Sequence, residues 1–385
     1  MDIFDIQTKV VMGEGSLEQI KELGIREACI ICDPFMVSSG KINELLTVLR
    51  EGGIKYRVFS EIVPDPAIDV VVQGIIRILN HKPDAVIAFG GGSAIDTAKI
   101  VSYFYTTIEG VEKPLGIAIP TTSGTGSEVT SFAVISDKAK QVKYPLSDKS
   151  LIPEIAILEP ELIRTVPPAT TAATGMDVLT HALEAFVSTG ACDFSDAFAE
   201  KAMRYIFRYL PIVYTNPNDM IAREKIHNAS CMAGLAFNHA GLGVNHGMAH
   251  ALGAMFHIPH GKANAMLLPY VAEYNAGLVF SKLECNKAAV RYAYLAEVLG
   301  MPAATTAQGV ESLITAIVKL MQTVEIPMSL QEAGIEESVF AEQLNALCEA
   351  AFHDGCTPAN PVKITIDEIR EVYIRCFTGT RTIAK

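Results

Sequence analysis

Up to about residue 165, short and continuously apolar runs alternate with stretches whose apolar positions recur every three or four residues. The runs predict strands near Lys9 to Met12, Ala28 to Cys32, Tyr56 to Phe59, Ala85 to Phe89 and Gly116 to Ile119. The periodic stretches predict helices over Ser16 to Leu23, Lys41 to Gly52, Asp69 to Asn80 and Ala94 to Tyr105. A strand such as Ala85-Val86-Ile87-Ala88-Phe89 has no polar position to offer water, so it is expected to be covered on both faces, as in a mostly parallel sheet. Strands alternating with helices in this way define an α/β unit.

After Val166-Pro167-Pro168 the texture changes. Helical spacing recurs through Phe186 and over Lys201 to Leu210, Ile221 to Ala240, Asn245 to Phe256, Val290 to Leu299, Val310 to Gln322 and Ile366 to Phe377, and convincing strand patterns disappear. A boundary is expected at about Pro167, with an α/β domain over residues 1–166 and an all-helical domain over 167–385.

Half of the 385 residues are hydrophobic and 19% are charged, which supports sizeable cores and excludes disorder and fibrous architectures. Lys plus Arg number 31 against 43 Asp plus Glu, and the net charge of −12 would repel nucleic acid and anionic lipid. No apolar run reaches the ~18 residues of a membrane span, and Met1-Asp2-Ile3-Phe4-Asp5 lacks the basic and then apolar order of a secretory signal, so a soluble cytoplasmic protein is expected. The eight cysteines lie mostly among apolar neighbours, which suits buried reduced thiols better than a disulfide framework. Cys29 and Cys32 form a CxxC, but with Ile30 and Ile31 between them inside a predicted strand and no second CxxC, a structural role is the better reading.

Two loops carry chemistry in the first half. Strand Ala85 to Phe89 runs into Gly90-Gly91-Gly92-Ser93, and a helical pattern opens at Ala94. Consecutive glycines remove every Cβ from the turn, so a pyrophosphate can approach the amides and the positive end of the helix dipole. A tight strand-to-helix turn is the plainer alternative, and Ile95 stands where a GxGxxG fingerprint would need its last glycine. Thr121-Thr122-Ser123-Gly124-Thr125-Gly126-Ser127 follows the strand Gly116 to Ile119, and its hydroxyls can meet phosphate oxygens or cap the next helix, with Ser127 as candidate N-cap. Asp33 ends the strand Ala28 to Cys32, where a carboxylate can accept from an adenosine ribose hydroxyl or serve an Asp-Pro turn with Pro34.

The second half carries a candidate metal site. Asp177 and His181 are four apart in Gly175-Met176-Asp177-Val178-Leu179-Thr180-His181-Ala182-Leu183-Glu184 and share a helix face. His246 and His250 repeat the spacing, and His260 follows in a His-Gly turn with Gly261. One carboxylate and several neutral imidazoles suit Fe(II) or Zn(II), with no choice between them from ligand counting. His227, His239 and His257 read as packing or surface histidines.

Four segments are specific enough to carry a family resemblance: GGGSAIDTAK at 90–99, IPTTSGTGSEVT at 119–130, GMDVLTHALEA at 175–185 and NHGMAHALGAMFHIPHGKANAMLLP at 245–269. The chain resembles the iron-containing (group III) alcohol dehydrogenases over essentially its whole length, and within them a subgroup associated with propanediol-utilisation microcompartments. The resemblance implies a dehydroquinate synthase-like fold, with an N-terminal dinucleotide-binding domain and a C-terminal metal-binding domain. It implies metal ligation by Asp177, His181, His246 and His260, with His250 beside the nicotinamide. It implies NAD contacts from Asp33, Gly91, Gly92, Ser93, Thr121, Thr122, Thr130, Phe132, Lys143, Leu162 and His250. Two departures from the family pattern are Pro64-Asp65-Pro66, where many relatives have Pro-Asn-Pro, and Ala94, where many have Pro.

The expected reaction is reversible hydride transfer between NAD(H) and a short-chain alcohol or aldehyde, propanal and 1-propanol above all, with Fe(II), or alternatively Zn(II), polarising the substrate oxygen. His250, set back from bulk water, is the candidate proton relay, with nicotinamide packing as its alternative role. A metal-dependent polyol dehydrogenase or a lyase on the same fold stays open. The resemblance also implies a homodimer or larger homo-oligomer, and an aldehyde dehydrogenase or a microcompartment shell protein as partner.

Overall fold

A computed structural model describes residues 3–62, 68–137, 142–279 and 287–383. The chain divides into two compact units, residues 1–166 and 167–385.

The first unit runs β1 (Lys9–Met12), a 3-10 turn (Ser16–Glu22), β2 (Glu27–Cys32), α1 (Pro34–Ser38), α2 (Asn43–Glu51), β3 (Lys55–Phe59), α3 (Ile68–His81), β4 (Ala85–Gly90), α4 (Gly92–Glu109) and β5 (Leu115–Pro120). β6 (Phe132–Asp137), β7 (Val142–Ser147) and β8 (Ile155–Leu158) follow. Six strands form one sheet in the order β1-β8-β5-β4-β2-β3, every neighbouring pair parallel. β6 and β7 pair antiparallel as a separate two-stranded ribbon.

The alternation of side chains along the strands explains the burial. Ile30, Cys32, Ala85, Ile87 and Phe89 join an apolar cluster on one face of the sheet, while Cys29, Ile31, Val86 and Ala88 join a second cluster on the other. Cys29 and Cys32 therefore point to opposite faces and share neither a disulfide nor a metal. Burial pushes their thiols up to about 11 and about 12, the range of inert core cysteines.

The second unit is helical: α5 (Pro168–Val187), α6 (Asp193–Thr215), α7 (Met220–Ala240), α8 (Val244–Phe256), α9 (His260–Asn275), α10 (Lys287–Val298), α11 (Thr306–Thr323), α12 (Glu337–Phe352) and α13 (Ile366–Thr378). One large apolar cluster runs through it. α5 is enclosed: every residue from Gly175 to Val187 is buried, although Asp177, His181 and Glu184 recur along one face. No helix among the described residues is long and apolar enough to cross a membrane.

Several expectations need correction. Ser16 to Leu23 forms a 3-10 turn rather than an α-helix. β6, β7, β8, α9 and α12 were not expected. His260 opens α9 directly after Pro259, whose fixed geometry suits the residue before a helix, so the anticipated His-Gly turn is the first turn of a helix. Pro64, Asp65 and Pro66 lie outside the described residues.

Candidate active site

In the first unit the strand order reverses between β2 and β4: the chain leaves β2 outward to β3 and returns to β4 on the opposite side. Such a reversal opens a crevice at the carboxyl ends of the two strands. The residues beyond those ends are Asp33 and Gly90-Gly91-Gly92-Ser93. Cys32 pairs with Phe89, and a Cβ on Gly90 would stand 3.3 Å from Asp33 Oδ2.

α4 starts at Gly92 with Gly91 as its N-cap, and no side chain caps it. Side chains could not be added there freely. A Cβ on Gly92 would lie 2.8 Å from Thr125 Cγ2, and one on Gly91 would lie 3.4 Å from Thr122 Oγ1. The amino end of an 18-residue helix, left without a side-chain cap and walled by the hydroxyls of the 121–127 loop, matches a pyrophosphate in charge and shape. Thr121 Oγ1 is buried there without a hydrogen-bond partner, a further group in want of a ligand.

The remaining residues expected at this site divide clearly. Asp33 Oδ1 accepts from Met36 N at 3.1 Å and caps α1, so its second oxygen is the one facing Gly90. Thr130 is buried and Phe132 is exposed. Leu162 packs its side chain into the core beneath β8, so a cofactor could meet it only through its backbone. Lys143 pairs through its backbone with Ser136, while its side chain lies outside the described residues. Ser127 is no N-cap: Gly126 takes that position, and the Ser127 hydroxyl donates to Asp96 Oδ1 at 2.6 Å.

In the second unit Asp177, His181, His246 and His260 come together, each offering one ligand atom, with all four atoms within 4.8 Å of one another. α5 supplies the first two, α8 the third and α9 the fourth. His246 Nε2 and His260 Nε2 stand 3.9 Å and 3.5 Å from Asp177 Oδ1. The His181 ring stacks on Phe237 and on His246, with both centroid distances 4.6 Å. Asp177, His181 and His246 are buried and His260 is exposed. Close approach of α9 to α5 depends on Gly261, where a Cβ would collide with the Ala173 carbonyl.

Burial pushes the Asp177 carboxyl above its ordinary value despite the nearby His181 and the Asn264 amide, and burial holds His246 well below its own. A neutral His246 presents one N–H and one lone pair. Its Nδ1 is hydrogen-bonded to Glu184 Oε2, and its buried Nε2 has no hydrogen-bond partner. A carboxylate with three imidazoles, one carrying an orphaned and inward-facing lone pair, fits a divalent Fe or Zn ion.

Glu184 and Asn264 were not anticipated as site residues. Glu184 Oε1 accepts from Asn245 N at 2.8 Å, so this carboxyl from α5 caps α8 in place of the missing side chain of Gly243. A Cβ on Gly243 would meet Glu184 Oε1 at 2.8 Å. Burial pushes the Glu184 carboxyl up to about 8. Asn264 Nδ2 donates to Asp177 Oδ1 at 2.8 Å and lies 3.1 Å from His260 Nε2, while its own oxygen accepts from Asn245 Nδ2 at 2.9 Å. Their signals were present as spacing: Glu184 lies seven residues after Asp177 and Asn264 four after His260, each on the ligand face of its helix.

His250 stands outside the group of four. Its ring stacks on His260 with centroids 5.4 Å apart, and its Nδ1 pairs with Asp354 Oδ2 at 2.8 Å. It is exposed, which corrects the expectation of an imidazole set back from bulk water. Asp354, in the loop after α12, was not anticipated and carries no local signal. Of the histidines read as packing residues, His227 is buried and held down to about 4 by that burial, and His257 ends α8 in a left-handed conformation.

The two units together define a class. Residues 7–160 match the family model for iron-containing alcohol dehydrogenase, and residues 171–377 match that for the C-terminal part of the Fe-containing alcohol dehydrogenase family. The chain belongs to the iron-containing alcohol dehydrogenase family and is an oxidoreductase. It is 46% identical to the 1-propanol dehydrogenase PduQ of Salmonella typhimurium, over 97% of this chain and 99% of that one. It is 38% identical to an NADPH-dependent butanol dehydrogenase of Clostridium saccharobutylicum, over 98% of both. The iron-containing alcohol dehydrogenase of Thermococcus thioreducens superposes with a TM-score of 0.89 at 33% identity, covering 98% of this chain and 100% of that one.

Proposed function

We propose that the protein transfers hydride reversibly between NAD(H) and a short-chain primary alcohol or its aldehyde, with 1-propanol and propanal as the working pair. The observation that carries the chemistry is the convergence of Asp177, His181, His246 and His260 with the His246 Nε2 lone pair orphaned inside the group. Those four residues would hold Fe(II), with Zn(II) as the competing ion. When bound, the ion supplies Lewis acidity toward the substrate oxygen, and NAD(H) supplies or accepts the hydride.

The chain's own residues bind, orient and hold protons. As a carboxylate, Glu184 would accept from the His246 Nδ1–H and so select the tautomer whose Nε2 is free to ligate. Asn264 donates to Asp177 Oδ1 and turns that carboxylate toward the three imidazoles. Gly91, Gly92 and Ser93, at the amino end of α4, with Thr121 and Thr122, would receive the pyrophosphate. Asp33 would accept from a ribose hydroxyl through Oδ2 and repel a 2′-phosphate, which favours NAD over NADP even though one relative is named for NADPH. Asp354 fixes the proton on His250 Nδ1, leaving Nε2 to exchange the substrate proton with solvent, a role that its exposure suits. The same reading includes a homo-oligomer that works beside an aldehyde dehydrogenase inside a microcompartment, for which copurification with shells is the check.

The test is anaerobic NADH oxidation with propanal, on protein stripped of metal and then reloaded separately with Fe(II) and Zn(II), with bound metal quantified. Activity restored by one ion supports the reading. Full occupancy and NADH binding without turnover would overturn it in favour of another substrate or a lyase.

A further inference from the structure

α4 carries a lysine with nowhere to reach solvent. Lys99 is buried, and its ammonium donates to Ser127 Oγ at 2.9 Å, Thr130 Oγ1 at 3.1 Å and the Phe132 carbonyl at 2.8 Å. All three of its donors go to the stretch from Ser127 to Phe132, which leads into β6 and includes its first residue, and all three acceptors are neutral. The counter-charge arrives one atom further on. The Ser127 hydroxyl accepts from Lys99 and donates to Asp96 Oδ1 at 2.6 Å, and Asp96 Oδ2 accepts from Val134 N at 3.1 Å.

Asp96 and Lys99 are three apart on α4, so they clasp the facing segment at four points, from Ser127 to Val134, through one buried network. A buried ammonium is costly without such partners, and desolvation holds Lys99 down to about 8 although Asp96 and Glu128 oppose the shift. A methionine would fill the same space without that cost. The network is therefore better understood as fixing a geometry than as stabilising the domain.

The two segments it joins are those that would hold the cofactor. Gly91, Gly92 and Ser93 lie at the amino end of α4, one to two turns before Asp96 and Lys99, while Thr130 and Phe132 lie on the clasped segment and Thr121 and Thr122 on the loop that runs directly into it. The geometry points to Lys99 as a positioning residue for the dinucleotide site: through Ser127 and Asp96 it locks the 127–134 segment onto α4, so that the two walls of the pyrophosphate cradle keep their spacing before the cofactor arrives. This rests on the dinucleotide reading of that crevice. A cradle held open in advance loses less freedom on binding, so the clasp appears as cofactor affinity.

The experiment measures NADH dissociation constants by fluorescence for the wild type, Lys99→Met, Lys99→Arg and Ser127→Ala, each as metal-loaded protein, with thermal midpoints, metal content, and KM for NADH and for propanal. Lys99→Met is expected to weaken NADH about tenfold or more, to raise the KM for NADH with little change in that for propanal, and to leave metal content intact. Ser127→Ala removes a single buried hydroxyl and carries the test if the methionine variant does not fold. It should act in the same direction, with Lys99→Arg partly restoring affinity. Hydrogen exchange at the Val134 amide should speed up in the cofactor-free variants and slow again with saturating NADH. Folded variants that bind NADH as the wild type does, whatever their midpoints, overturn the inference. A wild type that binds no NADH would instead bring down the cofactor reading on which it rests.

Discussion

Glu184→Ala is the sharpest test of how the helical unit would hold the proposed metal ion. The substitution removes the acceptor for two buried donors, the Nδ1–H of His246 and the backbone N–H of Asn245, and leaves the amino end of α8 without a cap. Each unpaired buried donor costs ~1–3 kcal/mol, so the two together would lower stability by roughly 2–6 kcal/mol before any water enters. Relief from burying the carboxyl, which burial has already pushed up to about 8, offsets part of this. The effect on the ion is separable. Without its partner, His246 is free to rotate or to place its proton on Nε2, and loss of such outer contacts weakens metal binding by about 10- to 100-fold, or ~1.4–2.7 kcal/mol. Competition against a chelator of known affinity, performed anaerobically beside thermal unfolding, measures both quantities. Glu184→Gln should fall between wild type and alanine, because its amide oxygen can accept one of the bonds while its NH2 faces the other donor. A folded Glu184→Ala protein with wild-type metal affinity would refute the reasoning.

Three further outcomes are expected. Asp33→Gly should admit NADP at a cost of only about 0.3 kcal/mol of stability, since glycine is itself tolerated at the α1 N-cap; an unchanged cofactor preference in steady-state kinetics would remove Asp33 from the ribose role. Gly261→Ala drives a Cβ into the Ala173 carbonyl, so it should push α9 from α5, lower stability by roughly 1–3 kcal/mol and weaken metal binding; a wild-type thermal midpoint and metal content would contradict that packing. Glu128 is buried, and burial raises its carboxyl from 4.5 to about 7. The stability this group contributes is complete below its unfolded value and is lost as pH rises through about 7. Glu128→Gln should therefore gain on the wild type between pH 5 and pH 8.5 in thermal unfolding, and a constant difference would rule out a buried, titrating Glu128.

What the sequence disclosed follows the range of the forces involved. β4 and the glycines after it were legible because a fully apolar run and a turn without Cβ atoms are local properties. Asp177 with His181, and His246 beside His250, were legible because i,i+4 spacing projects onto one helix face. α9 was not, because apolar residues surround it on every side and Pro269 interrupts it, leaving no amphipathic period to read. β8 has four residues and owes its existence to parallel partners far away in sequence, Lys9–Met12 on one side and β5 on the other. Glu184 was visible as a residue but not as an anchor, since its partners arrive about sixty positions later. His250 was misjudged for the same reason: its exposure depends on how α8 packs against other helices, which spacing does not encode.

The polar stripe of α5 has a consequence for what this sequence can become. Asp177, His181 and Glu184 occupy positions that the surrounding helices treat as core, and their ionisable groups lie in a region where leucine or methionine of similar volume would pack without desolvation. Several of the most accessible routes to a more heat-resistant bundle thus run directly through the loss of its chemistry. A library of variants sorted for thermal resistance alone should accumulate apolar replacements along this face, whereas one sorted for turnover should keep the stripe and gain its resistance elsewhere on the chain.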